Sequence, residues 1–422
     1  MKRFYVITLV IGMLFPQITQ ATDGYFGVGY GAQNKGLAGA GAAWYKYSLM
    51  NGNPAGNVFL GKQYQVGVGF FNPIRQYTVT GNPSPQPAFG LMPGTVESDS
   101  KLFLMPSMGA NWLLNEKSSL SATLFGNGGM NTKYPEATFH DSNSSTTGVD
   151  LGQMFLGVTY SRMLGEKHSI GITALGTFQY FEAKGLGMFG MMSSNPEKLT
   201  NNGHDQSYGF GIKLGYMGQL TDALSVGAMY QPKINMSSFD EYAGLFAEQG
   251  DFDIPANYTI GLAYQVNEKL AVLGDFKRIN YSDVASIGNP MVLPMNPDGS
   301  MNPNFAPLGA DSGSGFGWKD INVYKVGVEY DKGNSWILRG GFSHNDQPIP
   351  DSEIMFNILA PGVIENHITL GCSKAFGETG KAIHLAMVYA LPATVSGMNP
   401  MDPAQTIDIE MNQFELEIAF TF

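Results

Sequence analysis

The chain has 422 residues, 54 of them glycine, with a formal net charge of −11 at pH 7. Only 14% of the residues are charged and 12% are aromatic, where about 25% charged residues is usual in soluble domains, so an ordinary soluble surface is excluded. The acidic balance and the lack of any basic run exclude a nucleic-acid footprint, and the single cysteine, Cys372, excludes an internal disulfide.

In chain order, Lys2 and Arg3 precede the apolar run "FYVITLVIGMLF", and "TQA" (Thr19 to Ala21) offers small residues for a signal peptidase. The run is too short for a spanning helix, which needs about 20 apolar residues. Residues 1–21 are therefore expected to be a signal peptide, with the mature chain starting at Thr22. Residues 22–61 come next, rich in Gly and Ala, and read neither as strand nor as regular helix. So little side-chain bulk suits a segment threaded through a tight interior. Tyr25, Phe26, Tyr30, Trp44, Tyr45 and Tyr47 are too many aromatics for a tail left in water. The segment is expected to be an N-terminal hatch, plugging the lumen that the remainder of the chain encloses.

Residues 62–422 alternate between apolar and polar with the period of strands. Fourteen such segments are expected, near 62–80, 101–114, 118–128, 150–163, 168–181, 206–219, 224–236, 256–266, 269–281, 321–331, 335–345, 365–376, 381–392 and 410–422. In "NYTIGLAYQV", Tyr258, Ile260, Leu262, Tyr264 and Val266 share one face, and Asn257, Thr259, Gly261, Ala263 and Gln265 share the other. The links alternate in length, tight at "NEK", "GEK", "TDA", "NE", "KGN" and "GETG" and long between them. A soluble sandwich has no reason to place every long loop at one end, whereas an antiparallel transmembrane barrel with short periplasmic turns does. The expected fold is all-β, a closed 14-stranded antiparallel transmembrane β-barrel in the bacterial outer membrane. In the closing "FELEIAFTF", Phe414, Leu416, Ile418, Phe420 and Phe422 are expected to face lipid, and Glu415 and Glu417 the interior.

The residues also resemble a family, the outer-membrane FadL family of hydrophobic-compound transporters, which includes toluene and xylene channels. The resemblance covers nearly the whole mature chain. It rests on the glycine-rich start leading into "NPAG" (Asn53, Pro54, Ala55, Gly56), on "PSMGANWLLNEKSSLSATLFGNGGMNTKYPE" (106–136) and on "IPANYTIGLAYQVNEKLAVLGDF" (254–276). It rests further on "NVYKVGVEYDKGNSWILRGGFSHNDQPIPD" (322–351) and on the terminal aromatic. It implies a fourteen-stranded barrel with a hatch, passive uptake without cofactor or energy source, and external loops that capture a greasy substrate first. It further implies a third strand kinked inward, so that substrate leaves sideways into the membrane. Phe422 resembles the signal read by the barrel-assembly machinery. The expected partners are a long-chain fatty acid or another hydrophobic small molecule, outer-membrane lipid and lipopolysaccharide, with the protein acting as a monomer.

No nucleophile elbow, zinc-binding helix motif or Cys/His cluster is present, and neither a metal nor catalysis is expected. The long loops are apolar for segments that should face water: "GLGMFGMM", "EYAGLF" and "GNPMVLPMNPDGSMNPNF". Methionine-rich surfaces suit ligands of variable shape. Met188, Phe189, Met191, Leu245 and Phe246 are therefore expected to meet substrate, with Phe26 of the hatch. The lumen faces carry Lys213, Asp275, Lys325, Glu329, Arg339, Glu415 and Glu417. Lys325 and Arg339 are singled out as cations for a fatty-acid carboxylate, which an aromatic hydrocarbon would not need. "FGNGGM" supplies the expected kink at Phe125, Gly126, Asn127, Gly128 and Gly129, since glycine inside a strand marks a bulge or bend. Fatty-acid and monoaromatic cargos both stay open, as do, from other classes, a structural or adhesive barrel and an outer-membrane hydrolase.

Overall fold

Alternating apolar residues with tight turns between them build strands, and a computed structural model shows how they pair. It describes residues 23–44, 49–50, 52–296, 299–377 and 380–422; the expected signal peptide, Tyr45 and Tyr47 lie outside these. The strands are Gln63–Thr80 (β1), Gly94–Glu97 (β2), Phe103–Asn115 (β3), Ser118–Asn131 (β4), Gly148–Leu164 (β5), His168–Lys184 (β6), Asp205–Gln219 (β7) and Leu224–Gln231 (β8). They continue with Asn257–Asn267 (β9), Leu270–Ile279 (β10), Ile321–Gly333 (β11), Trp336–Asn345 (β12), Asn366–Phe376 (β13), Lys381–Met398 (β14) and Thr406–Thr421 (β15). Each long strand is hydrogen-bonded antiparallel to its sequence neighbours, and β15 returns to β1 from Gln65↔Thr421 to Thr80↔Thr406. The short β2 only extends the edge of β1 beyond β3. Among the described residues fourteen strands thus close into one barrel, as the alternation predicts.

Some details differ from the sequence reading: β14 runs on to Met398 and β15 begins at Thr406, each beyond the expected bounds. The strand expected over 224–236 stops at Gln231, because Pro232 has no N–H to continue the ladder. The strand β2 lies in a segment read as loop. No described helix is long and apolar enough to cross a membrane; the crossing is made by strands.

The parity of the side chains separates lipid from lumen. Phe210, Ile260, Leu262, Tyr264, Val326 and Leu370 are exposed on the outer face, while Glu415 and Glu417 are buried inside. An apolar band of this extent on a closed sheet is a hydrocarbon-facing surface. Near the short turns, Tyr64 stacks on Phe422 at 5.5 Å and meets Trp112 at 6.1 Å, the kind of aromatic girdle found at a membrane interface. At the other end the long connections fold inward as a cap, packing Phe189, Phe239, Tyr242, Phe246, Phe252, Tyr281, Trp318 and Phe356 into one buried cluster.

Phe422 also closes the seam: its carbonyl accepts from the Tyr64 N–H at 2.8 Å and its N–H donates to the Tyr64 carbonyl at 2.9 Å. Deleting Phe422 removes both bonds and the stacking. The deletion is expected to lower the fraction of chain that migrates fast on a gel when unboiled; an undiminished fast band would show that the barrel closes without it.

Candidate functional site

The N-terminal segment lies inside the barrel because the wall leaves room for it. "NPAG" opens a 3-10 helix, Pro54–Phe59, whose start is capped by the Asn53 side chain accepting from the Ala55 N–H at 3.0 Å. Ser161 on β5 donates to the Pro54 carbonyl at 2.5 Å and Ser169 on β6 to the Ala55 carbonyl at 2.8 Å. Glycines face this turn from the wall. A Cβ on Gly171 would sit 2.3 Å from the Pro54 carbonyl, and one on Gly215 would sit 2.3 Å from Asn53 Oδ1. Further round, Gly227 faces the Ala42 carbonyl and Gly341 faces Leu37 and Ala38 in the same way. "NPAG" is therefore a fastening point rather than a loose joint.

Charges fasten the rest. Lys35 pairs with Glu415 and, at 2.7 Å, with Glu417 on β15. Asp275 Oδ2 accepts from the Gly41 and Ala42 N–H groups at 2.9 Å each. Asp23 pairs with Lys325 at 3.0 Å and Lys277 at 3.3 Å, and Lys325 also donates to the Val28 carbonyl at 2.5 Å. Arg339 bonds Glu329 at 2.8 Å and Ser373 at 2.6 Å, leaving only its Nη2 without a partner. The two cations singled out from sequence thus both have partners: Lys325 holds the N-terminal segment, and Arg339 ties neighbouring strands. Asp23, Lys35 and Lys277 were not singled out, and nothing in their spacing marks them. Of the lumen-facing lysines and arginines among the described residues, Lys213, half-buried on β7, has no ion pair or hydrogen bond.

The interior holds chambers beneath the cap and, below them, around the N-terminal segment. Beneath the cap lies an apolar one, lined by Phe181, Phe189, Leu245, Phe246, Phe316 and Phe356 among others. Phe189, Leu245 and Phe246 line it together, whereas Met188 and Met191 are 51% and 98% exposed outside it. Lower down, two further spaces share Tyr30, Gly52 and Lys213 as walls. Between upper and lower chambers stands an aromatic stopper. Tyr25 lies 5.3 Å from Tyr281, 6.1 Å from Trp318 and 6.2 Å from Phe252, with Phe26 beside it at 5.1 Å. Phe26 faces the lower chamber.

The wall is interrupted beside that stopper. The β3–β4 ladder ends at Ser107↔Phe125, although β4 runs on to Asn131. The next residue of β3 is Pro106, which has no N–H to offer. On its other side β4 shifts register against β5 between Gly126 and Gly128, so that Asn127 forms a bulge. The edge that β3 leaves free is taken by the N-terminal segment: the Gly27 N–H donates to the Asn127 carbonyl and the Gly129 N–H to the Tyr25 carbonyl, both at 3.1 Å. Gly128 is required here, since a Cβ would lie 1.9 Å from the Tyr25 carbonyl oxygen. Asn127 turns inward, accepting from the Tyr30 hydroxyl at 2.8 Å and donating to Gln153 at 3.1 Å.

In the cap, burial raises the Asp251 carboxyl to about 7, with help from the like charges of Asp253 and Glu248. A carboxyl whose folded value lies above its ordinary 3.8 binds more protons folded than unfolded, so it lowers stability as pH rises from about 4 to about 7. Asp251→Asn is expected to raise the unfolding temperature of the purified barrel above pH 7 and to leave it unchanged below about pH 4. A gain independent of pH would assign the effect to something other than this ionisation. For the wall, Gly171→Ala adds a methyl against Pro54; overpacking of this kind destabilises by about 1–3 kcal/mol. Proteolysis of the purified barrel is expected to cut the N-terminal segment faster in that variant, and unchanged protection would remove the glycine-fit argument.

Comparison with known proteins agrees with this architecture. The family model described as "Outer membrane protein transport protein (OMPP1/FadL/TodX)" matches residues 19–373. No curated protein matches the sequence. Among solved structures, the P. putida toluene transporter TodX is similar with TM-score 0.65 and 19% identity, covering 93% of this chain and 98% of that one. A Pseudomonas aeruginosa FadL homologue gives 0.67 and 13%, over 94% and 98%. The Ralstonia pickettii toluene transporter TbuX gives 0.61 and 18%, over 93% and 98%. At such identities the likeness is one of fold.

Proposed function

Because the chain belongs to the OMPP1/FadL/TodX family of outer membrane transport proteins and forms a channel for hydrophobic compounds, we propose that its cargo is a long-chain fatty acid. One observation carries the choice: Lys213, without an ion pair or hydrogen bond among the described residues, faces the two lower chambers. An ionisable side chain at membrane depth is a functional residue by default, and a carboxylate is the partner an ammonium accepts most strongly. The tail of the acid would lie among the apolar side chains of the upper chamber on its way in.

In this reading the cap captures cargo between its apolar loops, with Met188 and Met191 as the outermost contacts and Phe189, Leu245 and Phe246 behind them. The segment before β1 acts as the hatch, fastened at "NPAG" and opening at its other end, where Tyr25 and Phe26 block descent. Release of Tyr25 to Gly27 from the β4 edge clears the path downward and frees the interrupted wall at Phe125 to Gly129. Cargo then enters the bilayer sideways, below the lipopolysaccharide headgroups, and partitions into hydrocarbon without an energy source.

The aromatic lining of the upper chamber, with Phe181, Phe189, Phe246, Phe316 and Phe356, favours a second reading in which a monoaromatic hydrocarbon is the cargo. Lys213→Met separates the two. For a fatty acid, loss of a charge-assisted hydrogen bond should weaken oleate binding to the purified barrel by about tenfold to a hundredfold and spare toluene. Equal weakening of both ligands would make Lys213 a structural residue; no weakening of either would favour the hydrocarbon.

A further inference from the structure

The lower chamber that Phe26 faces has three lysines in its walls, Lys213, Lys277 and Lys325, and one carboxylate, Asp275. Asp275 is turned to the backbone N–H groups of Gly41 and Ala42. The carboxylate that faces Lys277 and Lys325 is Asp23, which the N-terminal segment itself brings in. Asp23 is fully buried, yet only Oδ2 reaches the lysines, and Oδ1 meets no hydrogen-bond partner. A buried carboxylate half satisfied is poorly placed, and a free carboxylate, not tied to this backbone, could present both oxygens to the same ammonium groups.

Asp23 is also joined to the closed parts of the channel. Its N–H and carbonyl bond the carbonyl and N–H of Phe26 at 2.9 and 3.3 Å, making residues 23–26 one tight turn. The Tyr281 hydroxyl donates to the Asp23 carbonyl at 2.5 Å and accepts from the Tyr25 N–H at 3.2 Å. Lys277 stands 5.0 Å from the centre of the Phe26 ring. The neighbouring residues Tyr25 to Gly27 are those that seal the free edge of β4. The stopper, the wall seal and the ion pair thus belong to one short stretch of chain.

We propose that the Asp23 side chain is a built-in stand-in for the carboxylate of an amphiphilic acid, and that exchange of one carboxylate for the other on Lys277 and Lys325 unlatches residues 23–27. The proposal rests on the fatty-acid reading and adds to it the event that opens the stopper and the wall together. A ligand shifts such an equilibrium only through its differential affinity for the two states. The acid occupies the lysines only where Asp23 has left them, whereas a neutral cargo gains nothing from the exchange. Linkage then makes a demand opposite to that of a structural ion pair: removing the competing carboxylate must strengthen binding of the acid.

The test compares oleate with methyl oleate, which keeps the tail and loses the charge, on the full-length barrel in lipid nanodiscs. With the wild type, hydrogen exchange of the peptide containing residues 23–30 is expected to quicken about tenfold or more on adding oleate and to stay unchanged with methyl oleate. Asp23→Asn should bind oleate up to about tenfold more tightly, bind methyl oleate as before, and exchange quickly without ligand. Release of the segment by both ligands overturns the exchange while leaving a fatty cargo in place, as does an Asp23→Asn variant that binds oleate equally or more weakly. Failure of the wild type to bind either ligand overturns the fatty-acid reading and this proposal with it. Should Asp23→Asn not insert, the two ligands on the wild type still decide, since only acid-selective release supports the latch.

Discussion

A strand in hydrocarbon has no water to satisfy its backbone, and every N–H and C=O of the spanning sheet must find a partner within the protein. Closure of β15 on β1 meets this demand around the ring, with Phe422 and Tyr64 bonded to each other at its periplasmic end. The β3–β4 seam departs from the regular ladder. Beyond Phe125 the edge of β4 has no β3 partner, and the groups left there are answered from inside, by Tyr25 and Gly27. The interruption and the N-terminal segment therefore belong to a single hydrogen-bonding problem, and moving one alters the other.

The same constraint shapes the lumen. A segment threaded through a barrel can be held only by what the inner faces of the strands present, and here they present two things. Glycines at Gly171, Gly215, Gly227 and Gly341 let its backbone approach more closely than any side chain would permit. Charges at Glu415, Glu417, Asp275 and Lys325 meet its ions and amides. Buried ion pairs contribute little net stability because desolvation opposes them, but breaking one partner leaves an uncompensated charge. They fix position more than they add strength, which suits a segment proposed to be held and then released. The cap obeys different rules: its loops bury aromatic rings against one another, and that packing leaves an apolar chamber where the rings do not fill the space.

Much of this was legible in the residues. Strict alternation assigns each strand residue to lipid or lumen, so the barrel, its fourteen strands and the inward Glu415 and Glu417 follow from period alone. The glycines of "FGNGGM" mark the bulge, because glycine is what a strand uses where a backbone must come close. Period 2 runs out in the loops. It could not say that Phe189 turns into the chamber while Met191, two residues on, is 98% exposed, since that depends on which loops pack across the top.

The sequence by itself determined the class of fold, the closed sheet and the faces of its strands, because these follow from local alternation and turn chemistry. The tertiary structure alone decided the pairing of charges. Asp23 and Lys325 are 302 residues apart, and no spacing predicts that they meet. Parity placed Lys213, Lys325 and Arg339 equally in the lumen, and only the path of the N-terminal segment engaged Lys325. Glu329 and Ser373 from the flanking strands engaged Arg339, and Lys213 faces the chambers. A face is a property of one strand, whereas a partner depends on every chain segment that passes it.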